Sequence, residues 1–145
     1  LHYGVGKEEA ERAGRELTNP IARTPEALAR GEQVFTVFCS VCHGKGGLAD
    51  GPVVPRFPAP PSLLAANAKT LPDGRMFHVL SRGQGLMPSY AAQVSADDRW
   101  RAVHFVRSLQ GEKIGVTTEA PKHGGFTEKS AAVADAGTGA DGGAK

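Results

Sequence analysis

Thr24-Pro25-Glu26-Ala27-Leu28-Ala29-Arg30-Gly31, continuing through Phe35 and Phe38 into Cys39-Ser40-Val41-Cys42-His43, is the stretch that decides the fold. Thr24-Pro25 reads as a helix N-cap followed by proline at the first helical position, where a missing N–H does no harm. Leu28, Gly31, Phe35 and Phe38 then recur near helical spacing, an apolar stripe that includes one residue without a side chain. The helix runs into two cysteines three positions apart. That spacing suits a redox dithiol, half of a zinc site, or haem attachment. His43, immediately after the second cysteine, selects among them, because Cys-x-x-Cys-His is the haem-attachment signature. A thioredoxin-like dithiol would follow a strand and open a helix, whereas this motif closes one.

Each position of the motif has a physical reason. Two thiols at this spacing, at a helix end, reach the two vinyl groups on one porphyrin edge and become thioethers. The adjacent His43 then falls under the ring and offers an imidazole nitrogen to iron. A six-coordinate electron-transfer haem needs a second axial ligand, usually Met or His. Met87 lies in Gly83-Gln84-Gly85-Leu86-Met87-Pro88-Ser89-Tyr90. Glycines there let backbone approach a haem face and Pro88 stiffens the strap, so Met87 is the expected ligand. Met76 reads as core filler on a helix. His78 and His104 read as helix residues rather than ligands, and His2 and His123 lie in the ends of the chain. One signature implies one covalent haem c. In Pro60-Pro61-Ser62-Leu63, the Pro61 carbonyl is the expected acceptor for the His43 Nδ1–H, with Pro60 the alternative, and Leu63 is expected on the haem face. Arg75, Arg82, Tyr90 and Trp100 are candidates for the haem propionates; solvated or core positions are the ordinary alternative.

The rest of the chain is consistent with a small helical domain. A second helix is predicted from Asp73 to Gly83, with Met76, Phe77 and Leu80 on one face. A third starts at Ser95, with Asp98 as a capping-box acid, and stops at Gly111. Ala102, Phe105, Val106 and Leu109 form its apolar face. The Pro-rich loop from Pro52 to Pro61 is neither helix nor central strand. No segment reads as sheet, so the fold class is all-α. Residues 1–25 are polar and form an N-terminal extension, 26–111 hold the domain, and 112–145 read as a flexible tail too poor in apolar groups to fold. With 17 basic and 15 acidic side chains, the chain lacks the basic footprint of nucleic-acid binding. It contains no span of ~20 apolar residues. Leu1 stands where a signal peptide would begin with Met, which reads as a mature or trimmed product.

The series Gly31…Phe35, Cys39-Ser40-Val41-Cys42-His43, Pro61-Ser62-Leu63, Met87-Pro88 and Trp100…Phe105 resembles class I cytochromes c over residues 26–111. The resemblance implies helices and long loops around one His/Met-ligated haem, with the first and last helices crossing. The loop between His43 and Pro61 is longer and richer in proline than in the compact mitochondrial type. Asn19-Pro20-Ile21, Asp50-Gly51-Pro52-Val53-Val54, Leu71-Pro72-Asp73-Gly74-Arg75 and the Met87 strap further resemble the monohaem cytochrome subunit of bacterial alternative complex III, a membrane quinol oxidoreductase. That resemblance implies one-electron transfer as a subunit beside multihaem cytochrome or iron–sulfur partners, on the periplasmic side of the inner membrane. It also implies that both chain ends lie on other subunits. The rival readings are a free periplasmic carrier and, in another class, an open-site haem enzyme or gas sensor.

Overall fold

The computed structural model describes residues 2–112; all but the first residue of the expected tail, 112–145, lies outside them. Six α-helices follow in chain order: α1 (Lys7–Glu16), α2 (Pro25–Val34), α3 (Ser40–His43), α4 (Ala66–Lys69), α5 (Asp73–Arg82) and α6 (Ala96–Leu109). A π-helical turn, Phe35–Cys39, joins α2 to α3, so the helix widens just before the cysteines. Among the described residues there is no sheet, only one isolated bridge between Gln84 and Met87.

The helix ends follow the sequence chemistry. The Thr24 side chain accepts the Ala27 N–H, with Pro25 in the first turn. Gly83 closes α5 at φ +77, a conformation that costs glycine little. Ser95 caps α6 through the Asp98 N–H, but the expected reciprocal role of Asp98 is replaced: its carboxylate is held by Arg30 at 2.7 Å and Arg101 at 2.9 Å.

The first and last helices of the domain cross at Gly31. A Cβ there would lie 2.1 Å from the Arg101 carbonyl oxygen, so only glycine allows this approach. Phe35 fills the adjacent space against Phe105, with ring centroids 5.2 Å apart. On the other side of α6, Trp100 stacks on Phe77 at 4.0 Å and joins Val103 in the core. Arg107, buried on α6, reaches the Lys69 and Leu71 carbonyls and the Asp73 carboxylate, tying the α4–α5 junction to the last helix.

The N-terminal extension, expected to lie on other subunits, packs on its own domain. α1 buries Ala10 and Ala13 and runs against α5, where a Cβ on Gly74 would lie 2.2 Å from the Ala13 carbonyl oxygen. The two histidines weighed at the sequence level anchor this segment. His78 Nε2 donates to the Gly4 carbonyl at 2.8 Å and His104 Nε2 to that of Ile21 at 2.7 Å. A carbonyl only accepts, which fixes the proton on Nε2 of each ring. Both are structural, and neither lines the cleft described next.

Candidate haem site

The widened helix end delivers the motif to a cleft. Cys39 is buried, Cys42 half-buried, and both are free thiols. Burial, and then the neighbouring Cys42, push the Cys39 thiol up to about 12. Burial also lowers the His43 pKa. Both effects come from a low-dielectric surrounding that disfavours charge. A neutral imidazole is the form that can ligate a metal.

The loop after the motif folds back over it and satisfies the carbonyls at the end of α3. Val53, Gly51 and Ala49 donate to the carbonyls of Val41, Cys42 and His43 respectively. Gly51 is needed for this approach, since a Cβ would lie 2.3 Å from the Val41 oxygen. Leu63 is then drawn in by its N–H to the Gly47 carbonyl at 2.9 Å and by Gln110, which donates to the Leu63 carbonyl at 2.8 Å.

Met87 is carried by a strap pinned at several points. Gln84 and Met87 exchange backbone hydrogen bonds of 2.9 and 3.0 Å, Ser89 Oγ donates to the Ser81 carbonyl, and the Tyr90 N–H to that of Leu80. A Cβ on Gly83 would lie 2.6 Å from the Met87 oxygen, so the tight turn needs glycine.

These elements surround an open apolar cleft with a cavity volume of about 120 Å³. Cys39, His43, Leu63 and Met87 line it together; Cys42 sits on α3 beside it. Met76 lines it too, so it faces the cleft as well as the core. Pro61 is the departure. It is exposed and not on the cleft wall, while His43 Nδ1 is buried without a hydrogen-bond partner, so the expected bond to a proline carbonyl is not formed. The propionate candidates also lie elsewhere: Arg75 pairs with Glu11, Arg82 Nε donates to the Tyr3 carbonyl, Trp100 stacks on Phe77, and Tyr90 packs against Phe38.

The sequence reading missed Ala68, Leu71, Val79, Val103 and Gln110 as cleft residues. Val79 had a signal, since it shares a helix face with Met76 and Leu80. Gln110 had none, because its role depends on a carbonyl 47 positions away.

The residues fit a covalent haem. Cys39 lines the cleft and Cys42 stands beside it on α3, the walls are apolar, and a neutral imidazole carries an orphaned buried nitrogen. Fold and site together define a class I c-type cytochrome. Residues 26–106 match the model of the family described as cytochrome c oxidase, cbb3-type, subunit III, and the chain belongs to that family. No curated protein matches the sequence. Among solved structures, a chain of the reducing HAO-like protein complex of Kuenenia stuttgartiensis is similar in fold, with a TM-score of 0.54 and 24% identity. The match covers 64% of the present chain and 49% of that one, so the present chain spans about half the length of that neighbour. A cytochrome c domain implies haem c and electron transfer.

Proposed function

We propose that this chain is a one-electron carrier that holds a single haem c through Cys39 and Cys42, with His43 and Met87 as the two axial ligands. The observation that carries this reading is the convergence of Cys39, His43 and Met87 on one apolar cleft. When bound, haem c supplies a ferric–ferrous couple, and thioether ligation favours the reduced form relative to two imidazoles. The chain's own part is to hold and insulate. Burial keeps His43 neutral, the pinned strap fixes the Met87 sulfur, and Leu63, Leu80 and Val103 keep water from the cleft.

The chain works as a subunit of a membrane-bound, quinol-oxidising respiratory complex, on the periplasmic side of a bacterial inner membrane. Three things support this. The motifs resemble the monohaem subunit of alternative complex III. The family's own description is that of an oxidase subunit. Val37 and Val41, beside the cysteines, are exposed apolar side chains of the kind a partner would cover. No helix among the described residues is long and apolar enough to cross a membrane.

The test of ligation is a pair of variants. Met87→Ala is expected to open the iron, with rapid carbon monoxide binding by the reduced protein and loss of the weak ferric band of a sulfur–iron bond. Met76→Ala should leave both unchanged. The reverse pattern would transfer the ligand role to Met76. Carbon monoxide binding by the unaltered protein would favour an open-site enzyme or sensor. Mass determination of the native assembly separates a complex subunit from a free carrier.

A further inference from the structure

Apart from Cys39 and His43, the cleft walls carry one polar side chain among the described residues. It belongs to Gln110, the residue that ends α6. An amide against an apolar space is costly unless both its ends are bonded. Both are. Arg107 donates to Gln110 Oε1 at 2.9 Å, and Gln110 Nε2 donates to the Leu63 carbonyl at 2.8 Å. A guanidinium only donates and a carbonyl only accepts, so the partners fix which way the amide points.

Arg107 is itself held in place. It is buried, and it donates to the Asp73 carboxylate at 2.7 Å, to the Lys69 carbonyl at 3.1 Å and to the Leu71 carbonyl. On the far side of Leu63 the bonds continue. The Leu63 N–H donates to the Gly47 carbonyl at 2.9 Å, and the Gly47 N–H to that of Gly44, the residue after His43. A polar string therefore runs behind the apolar wall, from the start of α5 through the end of α6 to the loop that leaves His43. Gln110 is the link that ties Leu63 to α6.

Leu63 and His43 line the same cleft. Without Gln110, Leu63 keeps only its tether to the Gly47 loop, and water gains access beside His43. Water near a haem favours the more highly charged ferric form, so solvent access lowers the reduction potential.

We propose that Gln110 is a positioning residue that sets the haem reduction potential by holding Leu63 against the cleft. The inference rests on the haem reading above. Its test is the midpoint potential of the haem-loaded full chain, read by redox titration of the visible spectrum in a double-variant cycle. Gln110→Met keeps the length of the side chain and loses the donor, and its half-buried place at the helix end spares the fold. The ferrous-to-ferric ratio at a fixed potential is expected to fall about threefold, equivalent to about 30 mV for one electron. Gln110→Asn, polar but one methylene short, should act in the same direction. Leu63→Ala should also lower the potential, and adding Gln110→Met to it should change nothing further. Hydrogen exchange over residues 44–64 should rise in Gln110→Met. Gly74→Ala, which loosens α1 away from the cleft, should leave the potential unchanged whatever it costs in stability. An unshifted potential in haem-loaded Gln110→Met, or shifts that add in full in the double variant, overturns the inference and leaves the haem reading standing. An unaltered chain that takes up no haem overturns both.

Discussion

The molecule makes the same close helix crossing twice, and the two crossings do different work. At Gly31, α2 and α6 meet backbone to backbone, with Phe35 and Phe105 filling the flank, and the crossing backs directly onto the apolar cleft. At Gly74, α1 and α5 meet equally closely, but the contact rests on alanines and the flank is polar, with Arg75 paired to Glu11 and His78 bonded to the Gly4 carbonyl. The first crossing shapes the site. The second fastens an extension that the cleft does not use. A shared device therefore says little about role; what lies behind the crossing decides it.

The comparison can be broken most forcefully at Gly31. Gly31→Val forces side-chain atoms into the Arg101 carbonyl and should cost more than the usual ~1–3 kcal/mol of overpacking, enough to lose haem attachment in the producing cell. Absorbance of the purified chain measures it. Arg107→Met comes next. It leaves Asp73 and two carbonyls without their buried partner, an expected loss of about 2–4 kcal/mol by urea unfolding of the haem-loaded protein. Gly74→Ala should act locally, releasing α1 at a cost of about 1–3 kcal/mol. Hydrogen exchange over Lys7–Glu16 would rise while the visible spectrum stays unchanged; a change in both would show the second crossing to be part of the site.

The smallest effect is a pH dependence. The hydrogen bond from Arg30, with a further one from Arg101, holds the Asp98 carboxyl below its ordinary value. A depressed folded-state pKa adds stability above the unfolded value and loses it as the pH falls through the folded one. Arg30 is exposed to solvent, so the contribution is a few tenths of a kcal/mol. Asp98→Asn should remove that much at neutral pH and leave the two proteins alike once the pH has fallen through the depressed folded-state value.

The first crossing was legible in sequence and the second was not, for a physical reason. Gly31 and Phe35 sit at helical spacing just before Cys39, so periodicity and motif reinforce each other. Ala13 and Gly74 are small residues in polar surroundings, and alanine at helical spacing carries almost no hydrophobic signal. The structure brings Met87 and Leu63 onto the cleft, and a local pattern marks each in the sequence. The Pro61 carbonyl failed because acceptor geometry depends on how the loop from Gly44 to Pro60 folds, and that is set by bonds to Val41, Cys42 and His43 that no local spacing encodes. The histidines illustrate the same limit: His78 and His104 were read as non-ligands, but their bonds to Gly4 and Ile21 cross 74 and 83 positions.

The most direct measurement is the intact mass of the chain purified from a host that attaches haem, before and after thiol alkylation. If Cys39 and Cys42 are joined to one porphyrin, the mass is that of the polypeptide plus a single haem and alkylation adds nothing. A colourless product with the polypeptide's mass alone, gaining two alkyl groups, would contradict the assignment of this cleft.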